Sequence, residues 1–146
     1  MSITSETQAL DILDDLRQAH LQREAAARHL AEHPTPRAIA RLVRALQDDD
    51  FGVRWDAAVA LARLGNLALP ELLRALTDPS RVGDPRLREG VYHALHYNQS
   101  PHLPVPVRPL MEALRGPAAD IASMDEASRL LQQIERRDRR RVAGRG

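Results

Sequence analysis

Histidine is the most chemically versatile residue type in this sequence, and two pairs of histidines have helical spacing. His29 and His33 are four residues apart, and His93 and His96 are three apart, with His102 further on. Either spacing can place two imidazoles near one zinc ion. The sequence has no His-Glu-x-x-His motif, and no carboxylate completes either set. We therefore expect no metal site, and assign the histidines to the surface or to an interface.

The other reactive residue types do not form a catalytic set. The acidic clusters Asp14-Asp15 and 48–50 lie near predicted helix ends, where carboxylates stabilise helix dipoles or solvate turns. No serine lies in a nucleophile-elbow motif, and there is no Gly-rich phosphate loop. The chain has neither Cys nor Lys, which excludes a thiolate nucleophile and a Schiff base. We predict a protein that is not an enzyme, with no catalytic residue and no cofactor.

The elements that carry these side chains come from a sequence that repeats itself. Two large apolar residues, two spacers and Leu recur four times, starting at Ile12, Leu42, Leu72 and Leu110. Each copy precedes a second helical segment, and a repeat of this length that encodes two helices indicates an α-solenoid. The predicted fold is all-α: a right-handed α-solenoid of about four two-helix repeats. We place the repeats at residues 5–33, 35–65, 69–97 and 105–135.

Local signals set the predicted helix ends. Ser5 with Gln8 can form a capping box at the first helix, and Thr35 before a proline suits the N-cap of the third. Ser123 and Glu126 predict a second capping box that opens the last helix. Between the third and fourth repeats, residues 98–109 contain four prolines and predict an extended, semi-rigid spacer.

Charge is unevenly distributed along the chain. The net charge is +1, yet residues 136–146 carry six Arg against one Asp, and the preceding part is mildly acidic. We expect residues 136–146 to be a disordered tail, and nucleic acid is a possible partner through five of its residues: Arg136, Arg137, Arg139, Arg140 and Arg141. The polar N-terminus and the absence of a long apolar run predict a cytoplasmic protein with no membrane contact. Arginine as the sole basic residue besides His is typical of a GC-rich bacterial genome.

The second repeat carries a recognisable pattern. Leu46-x-Asp48 is followed by Val53-Arg54-x-x-Ala57-Ala58-x-Ala60-Leu61-x-x-Leu64-Gly65. This run resembles a HEAT repeat, most closely the short bacterial form found in phycobilin-lyase-type proteins. The resemblance implies that turn aspartates pair with the Arg after Val between adjacent repeats. The candidates are Asp48 or Asp50 with Arg54, and Asp84 with Arg88. It also implies a further alternative, an accessory or lyase-like role in tetrapyrrole chemistry.

The second helices of the repeats are expected to line the concave face of such a stack. Alignment of the first three repeats places on that face the only Trp, one of the two Tyr and several charged residues. Exposed aromatic residues and Arg are enriched at binding hot spots. We therefore predict a scaffold or adaptor that binds a protein partner of unknown identity through Arg28, Trp55, Asp56, Val59, Arg63, Glu89, His93 and Tyr97. The alternative interpretation is that Trp55 covers the edge of the core and the charges pair across repeats.

Overall fold

A computed structural model describes residues 2–145 of the chain; Gly146, the end of the predicted tail, lies outside this range. The described residues contain eight α-helices, one short 3-10 helix (Gly65–Leu67) and no strand, so the predicted all-α solenoid class is confirmed. The α-helices are α1 (Glu6–Asp14), α2 (His20–Glu32), α3 (Pro36–Ala45), α4 (Phe51–Leu64), α5 (Leu69–Leu76), α6 (Pro85–His96), α7 (Arg108–Arg115) and α8 (Ala119–Ala143). None of these described helices combines the length and apolar character that crossing a bilayer requires.

Short polar side chains cap four of the helices. The hydroxyl of Ser5 accepts from the amide of Gln8 at 3.1 Å, and Thr35 Oγ1 accepts from the amide of Ala38 at 3.0 Å. Both predicted N-caps are thereby confirmed, but the capping box is half formed, because Gln8 Oε1 accepts from the amide of Thr4 at 2.8 Å and not from that of Ser5. Asp50 caps α4 and Asp84 caps α6 in the same manner, each accepting from the amide two residues on. These caps satisfy amides that the first helical turn leaves without an intrahelical acceptor.

The helices form two layers. The first helices of the repeats, α1, α3 and α5, pack side by side in what we call the A layer. The second helices, α2, α4 and α6, pack side by side in the B layer. The core between the layers is mainly Leu, Ala and Val, and it is continuous from α1 to α8.

The last pair of helices is reversed relative to the others. α7 packs against α6 and therefore extends the B layer, whereas α8 packs against α5 and extends the A layer. This differs from the predicted fourth repeat at 105–135, in which the first helix would have continued the A layer. The connector at 98–107 accounts for the exchange because it is long enough to carry the chain across the end of the stack before α7 begins.

The connector is anchored to the fold. The amide of Gln99 donates to the carbonyl of Ala62 at 3.1 Å, and Ser100 Oγ accepts from the amide of Asn66 at 2.9 Å. Val105 and Val107 are buried in the core, with exposed Pro106 between them. The predicted spacer is therefore part of the packed structure.

The start and the end of α8 both differ from the prediction. The helix begins at Ala119, directly after Ala118 in the left-handed region (φ 50°). Ser123 consequently lies inside α8, fully buried on its apolar face, and does not cap the helix. At the other end the helix continues to Ala143, so residues 136–143 are helical and the expected disordered tail is not found.

One buried charge joins the first two repeats. Arg23 on α2 is only 4% exposed. Its Nη1 and Nη2 donate to Oδ1 and Oδ2 of Asp48 at 2.9 and 2.5 Å, and Nη2 also donates to the carbonyl of Leu13 at 2.7 Å. This bidentate arrangement is the strong geometry for a guanidinium and a carboxylate. Arg23 therefore ties the turn of repeat 1 to the turn of repeat 2.

The predicted inter-repeat pairs are wrong in their partners. Arg54 donates to the backbone carbonyls of Asp48 and Asp49 at 2.7 and 3.1 Å, and Arg88 donates to the carbonyl of Val82 at 2.8 Å. The carboxylates of Asp50 and Asp84 cap their own helices and also contact His20 and Arg86, respectively, in place of these arginines. Each arginine thus closes the turn of its own repeat.

Alignment of the repeats explains why Arg23 has a carboxylate partner and the equivalent arginines of the next two repeats do not. Arg23, Arg54 and Arg88 occupy equivalent positions, and each binds a carbonyl of its own turn. Arg23 has a carboxylate as well because the next repeat supplies Asp48. Asp48 lies six residues before Arg54, and the residue six before Arg88 is Val82, which is buried and apolar. Arg54 therefore has no equivalent carboxylate partner.

Replacing Asp48 tests the ion pair. Burial acts to raise the pKa of Asp48, but hydrogen bonds from Arg23 and from the Asp50 amide outweigh it, so this pKa is lowered. We expect Asp48→Asn to lower the free energy of unfolding by roughly 2 kcal/mol at pH 7, because the Asn amide keeps one acceptor for Arg23 but loses the charge-assisted hydrogen bond. A lowered pKa stabilises above the unfolded-state value of about 3.9 and is lost as pH falls through the folded-state value. The difference between the proteins in urea denaturation should therefore shrink below about pH 4.

Asp49→Asn is the matched control. Asp49 is the next residue along the chain, and its side chain is 94% exposed in its contact with Arg86. Exposed ion pairs contribute little, so the urea midpoint should hardly change. Equal destabilisation by both substitutions would contradict a specific role of the buried pair.

Packing of α8 on the A layer is tested by two substitutions on that helix. Leu130 is 3% exposed, whereas Ile121 is 60% exposed. Leu130→Ala should cost about 2–4 kcal/mol in chemical denaturation because it removes buried methyl groups and leaves a cavity. Ile121→Ala should change the unfolding free energy much less. Similar values for the two would mean that α8 does not dock through this face.

Candidate interaction surface on the B layer

Aromatic rings from α4 and α6 form a continuous exposed patch on the B layer. Phe51 and Trp55 lie one turn apart on α4, with ring centroids 6.4 Å apart. Trp55 then contacts His93 on α6 at 5.0 Å, and His93 contacts Tyr97 at 4.6 Å. We call these four residues the aromatic patch. The Phe51, Trp55 and Tyr97 side chains are 68%, 50% and 56% exposed.

The patch is formed by the spacing of the sequence within two adjacent helices. On each helix the two aromatic residues are four apart, so they project from the same face. Because α4 and α6 pack side by side, the two aromatic pairs meet along the seam between the helices. Trp55 and His93 form the ridge where they touch.

A groove lies on each side of this ridge. The larger, of about 370 Å³, has Leu46, Ala58 and Gly90 among its lining residues, together with Phe51 and Trp55. The smaller, of about 290 Å³, lies toward the C-terminal ends of the helices and is lined by Trp55, Val59, Ala62, His93, Tyr97 and Gln99. Both grooves expose more apolar than polar surface.

Gly90 permits the close approach that forms the larger groove. A β-carbon at this position would lie 2.8 Å from Leu46 Cδ2 and 3.1 Å from Leu46 Cβ. Both distances are shorter than an ordinary van der Waals contact. The absence of a side chain at Gly90 therefore lets α6 sit directly on Leu46.

The charged residues predicted for this surface largely pair with one another. Arg28 Nη1 lies 3.0 Å from Asp56 Oδ2, which links α2 to α4. Glu89 contacts Arg115 of α7 at 2.9 Å. Arg63 is exposed on α4, and Val59 is half-buried in the smaller groove. All eight predicted partner-binding residues thus lie on the B layer, but the aromatic ones carry its apolar surface.

Several side chains of this surface were missed by the sequence alignment. Phe51 begins α4, one turn before Trp55. This spacing of four residues is the feature of the sequence that could have placed Phe51 on the same surface. Arg54 lies over the Phe51 ring, with its guanidinium carbon 5.6 Å from the centroid. Tyr92 is covered by Arg115 at 3.5 Å, a cation–π contact that depends on the reversed position of α7.

Four of the six histidines lie against other rings, and His20 contacts the carboxylate of Asp50. His29 and His33 stack with centroids 4.5 Å apart, and His96 lies edge-on to Tyr97 at 4.7 Å. Among residues 2–145, no three His, Asp or Glu side chains converge in a way that could hold a metal ion. His93 instead lies in the ridge between the two grooves.

The arginines at the end of α8 are distant from the patch in sequence and lie on an exposed helix. Arg136, Arg137, Arg139, Arg140 and Arg141 are all exposed. Arg137 also donates to the carbonyl of Pro104 in the connector. The basic segment is therefore joined to the fold at Arg137.

Comparison with known proteins identifies the repeat. The family model for HEAT repeats matches residues 6–96, which span α1 to α6 and end at the connector. No curated protein and no solved structure matches the chain. The matched range covers more than half of the sequence and coincides with the three repeats of regular layer order. HEAT repeats commonly serve as protein-interaction scaffolds. The chain belongs to the HEAT repeat family.

Proposed function

We propose that this chain is a protein-interaction scaffold that binds its partner through the aromatic patch on the B layer. The observation that carries the proposal is the row of Phe51, Trp55, His93 and Tyr97 with an apolar groove on each side. Solvent-exposed apolar surface of this kind is characteristic of an interaction site.

The ridge and its grooves suit an interface core. Tryptophan and tyrosine bury large areas at low conformational cost, and they dominate the affinity of many interfaces when their surroundings exclude water. A partner that places apolar side chains in the grooves would cover both faces of the Trp55–His93 ridge. The binding free energy should therefore be concentrated at Trp55.

The ion pairs around the patch suit a polar rim. Arg28–Asp56 and Glu89–Arg115 lie at the exposed edges of the B layer, where such pairs contribute little to stability or affinity. Arg63 lies on the same helix as Trp55 and is exposed. We propose that these charges orient the partner, and that Arg63 selects for an acidic residue beside the apolar contact.

Trp55→Ala is the direct test. A photo-reactive phenylalanine analogue at Tyr97 would first capture the partner from a native extract treated with nuclease. The affinity of the purified partner would then be measured by calorimetry. Loss of a hot-spot side chain costs about 2 kcal/mol or more, so the Kd should rise about 30-fold. The variant should fold normally because half of the Trp55 side chain is already exposed.

Leu67→Ala provides the control for this experiment. Leu67 is 65% exposed, comparable with Trp55, but it lies in the 3-10 helix and lines neither groove. The Leu67→Ala variant should bind the partner with the same Kd as the unmodified protein. Unchanged affinity for Trp55→Ala, or an equal loss for both variants, would place the interface elsewhere.

A second candidate function is nucleic-acid association through the end of α8. The observation that favours it is the helical, exposed arrangement of five arginines between residues 136 and 141. Such a segment would bind backbone phosphates without reading sequence, and its affinity would fall steeply with salt.

Salt-dependent binding to a duplex oligonucleotide tests this candidate. Replacement of Arg139, Arg140 and Arg141 by Gln should lower the slope of log K against log salt by about three, since each phosphate contact contributes about 0.9. Arg137 is retained because it contacts the connector. Trp55→Ala should leave the slope unchanged. An unaltered slope in the triple variant would exclude the segment as a nucleic-acid contact.

A further inference from the structure

A second surface, at the turns between helices, collects guanidinium groups. A cleft of about 350 Å³ opens where the turn after α3 meets the turn after α5. Its polar lining consists of Arg41, Arg44, Gln47, Asp48, Asp49 and Arg81. It shares no lining residue with the two grooves beside the aromatic patch.

Most of the other charges of the cleft have partners. Asp48 is held by Arg23 at 2.5 Å, whereas Asp49 is 94% exposed and shares Arg86 with Asp84, at 2.9 and 3.0 Å. Arg41 contacts Asp14 at 2.6 Å. Asp48 and Arg41 are therefore paired within the fold, and water screens the exposed carboxylate of Asp49. Arg44 and Arg81 are the remaining charges of the cleft.

Arg44 and Arg81 are positive charges without a carboxylate contact among residues 2–145. Nε of Arg81 donates to Gln47 Oε1 at 2.8 Å, whereas its Nη2 is buried with no hydrogen-bond partner within the described chain. Burial lowers the pKa of Arg81, and the charge of Arg44 lowers it further, against the attraction of Asp78 and Glu71. Two like charges thus share one cleft, and a partly buried cation of this kind gains from an anionic partner.

Comparison of α3 with α5 shows why Arg44 is unpaired. Arg74 occupies the same position in the next repeat, and it contacts Glu71, three residues earlier, at 2.6 Å. The residue three before Arg44 is Arg41. The second repeat thus has Arg41 where the third has Glu71, so Arg44 lines the cleft without the carboxylate partner that Arg74 has.

We propose that this cleft binds a phosphate monoester group through the guanidiniums of Arg44 and Arg81. Two guanidiniums without a carboxylate contact suit the charge of −1.5 to −2 that such a group carries near neutral pH. Arginine also offers several donors in a fixed plane, which suits the oxygens of a phosphate. This site is separate from the aromatic patch and does not rest on the proposed partner binding.

Titration of the full chain with inorganic phosphate and with a phosphoserine peptide tests the proposal. The Nε–H signals of the arginine side chains would be followed by NMR at constant ionic strength, with acetate as a monoanion for comparison. We expect saturable shifts at Arg44 and Arg81 with both phosphates, and much weaker binding of acetate. Arg44→Gln should weaken phosphate binding at least about tenfold because it removes charge-assisted hydrogen bonds.

Arg74→Gln is the matched control, since it alters the equivalent residue where the charge is already paired. It should leave the phosphate affinity unchanged. Shifts that do not saturate, or equal loss in the Arg44 and Arg74 variants, would overturn the proposal. Tighter binding of a phosphoserine peptide than of inorganic phosphate would support it and assign the group to a phosphorylated partner. Equal binding would support it and assign the group to a free phosphate compound.

Discussion

The contact between Arg23 and Asp48 sets the relation of the first repeat to the second. A guanidinium that is almost fully buried must have its donors satisfied, and here Leu13 and Asp48 do so from two different turns. That requirement fixes how far α2 can slide along α4. It also brings the turns of successive repeats together on one side of the molecule. The buried ion pair of the stack therefore lies at the turns, whereas the charged contacts of the B layer, Arg28–Asp56 and Glu89–Arg115, lie on its exposed surface beside the aromatic patch.

Local features of the fold could be predicted because their causes are local. Ser5 and Thr35 cap helices through amides three residues away, and the apolar spacing of the first three repeats specifies which faces are buried. The partner of Asp48 could not be deduced in the same way. Arg54 is close in sequence and was the partner implied by the resemblance, but Arg23, 25 residues away, reaches the carboxylate in the folded chain. Sequence spacing cannot rank two arginines whose distances depend on the packing of whole repeats.

The sequence predicts the aromatic part of the candidate surface but not its ion pairs. Alignment of the repeats was sufficient to place Trp55, His93 and Tyr97 on one layer, because equivalent helices of a repeat share their orientation. It could not show that Arg28 would contact Asp56, or that Arg115 would cover Tyr92. Those contacts depend on side-chain reach between helices, and the second depends on α7 lying in the B layer. The capping box predicted at Ser123 is wrong because the same residue types at the same spacing can also occur inside a long helix, where they cap nothing.

The reversed final pair has a consequence for how such an array can change in length. Proteins of this kind lengthen by tandem duplication, in which a copied repeat stacks on its neighbour in the same orientation. Copies of the unit from α3 to α4 could be accommodated within the regular part, since each would present one helix to each layer. A copy added after α8 would have to follow a pair whose layers are exchanged. Duplication that keeps the regular orientation is therefore expected to vary the number of repeats upstream of residue 98.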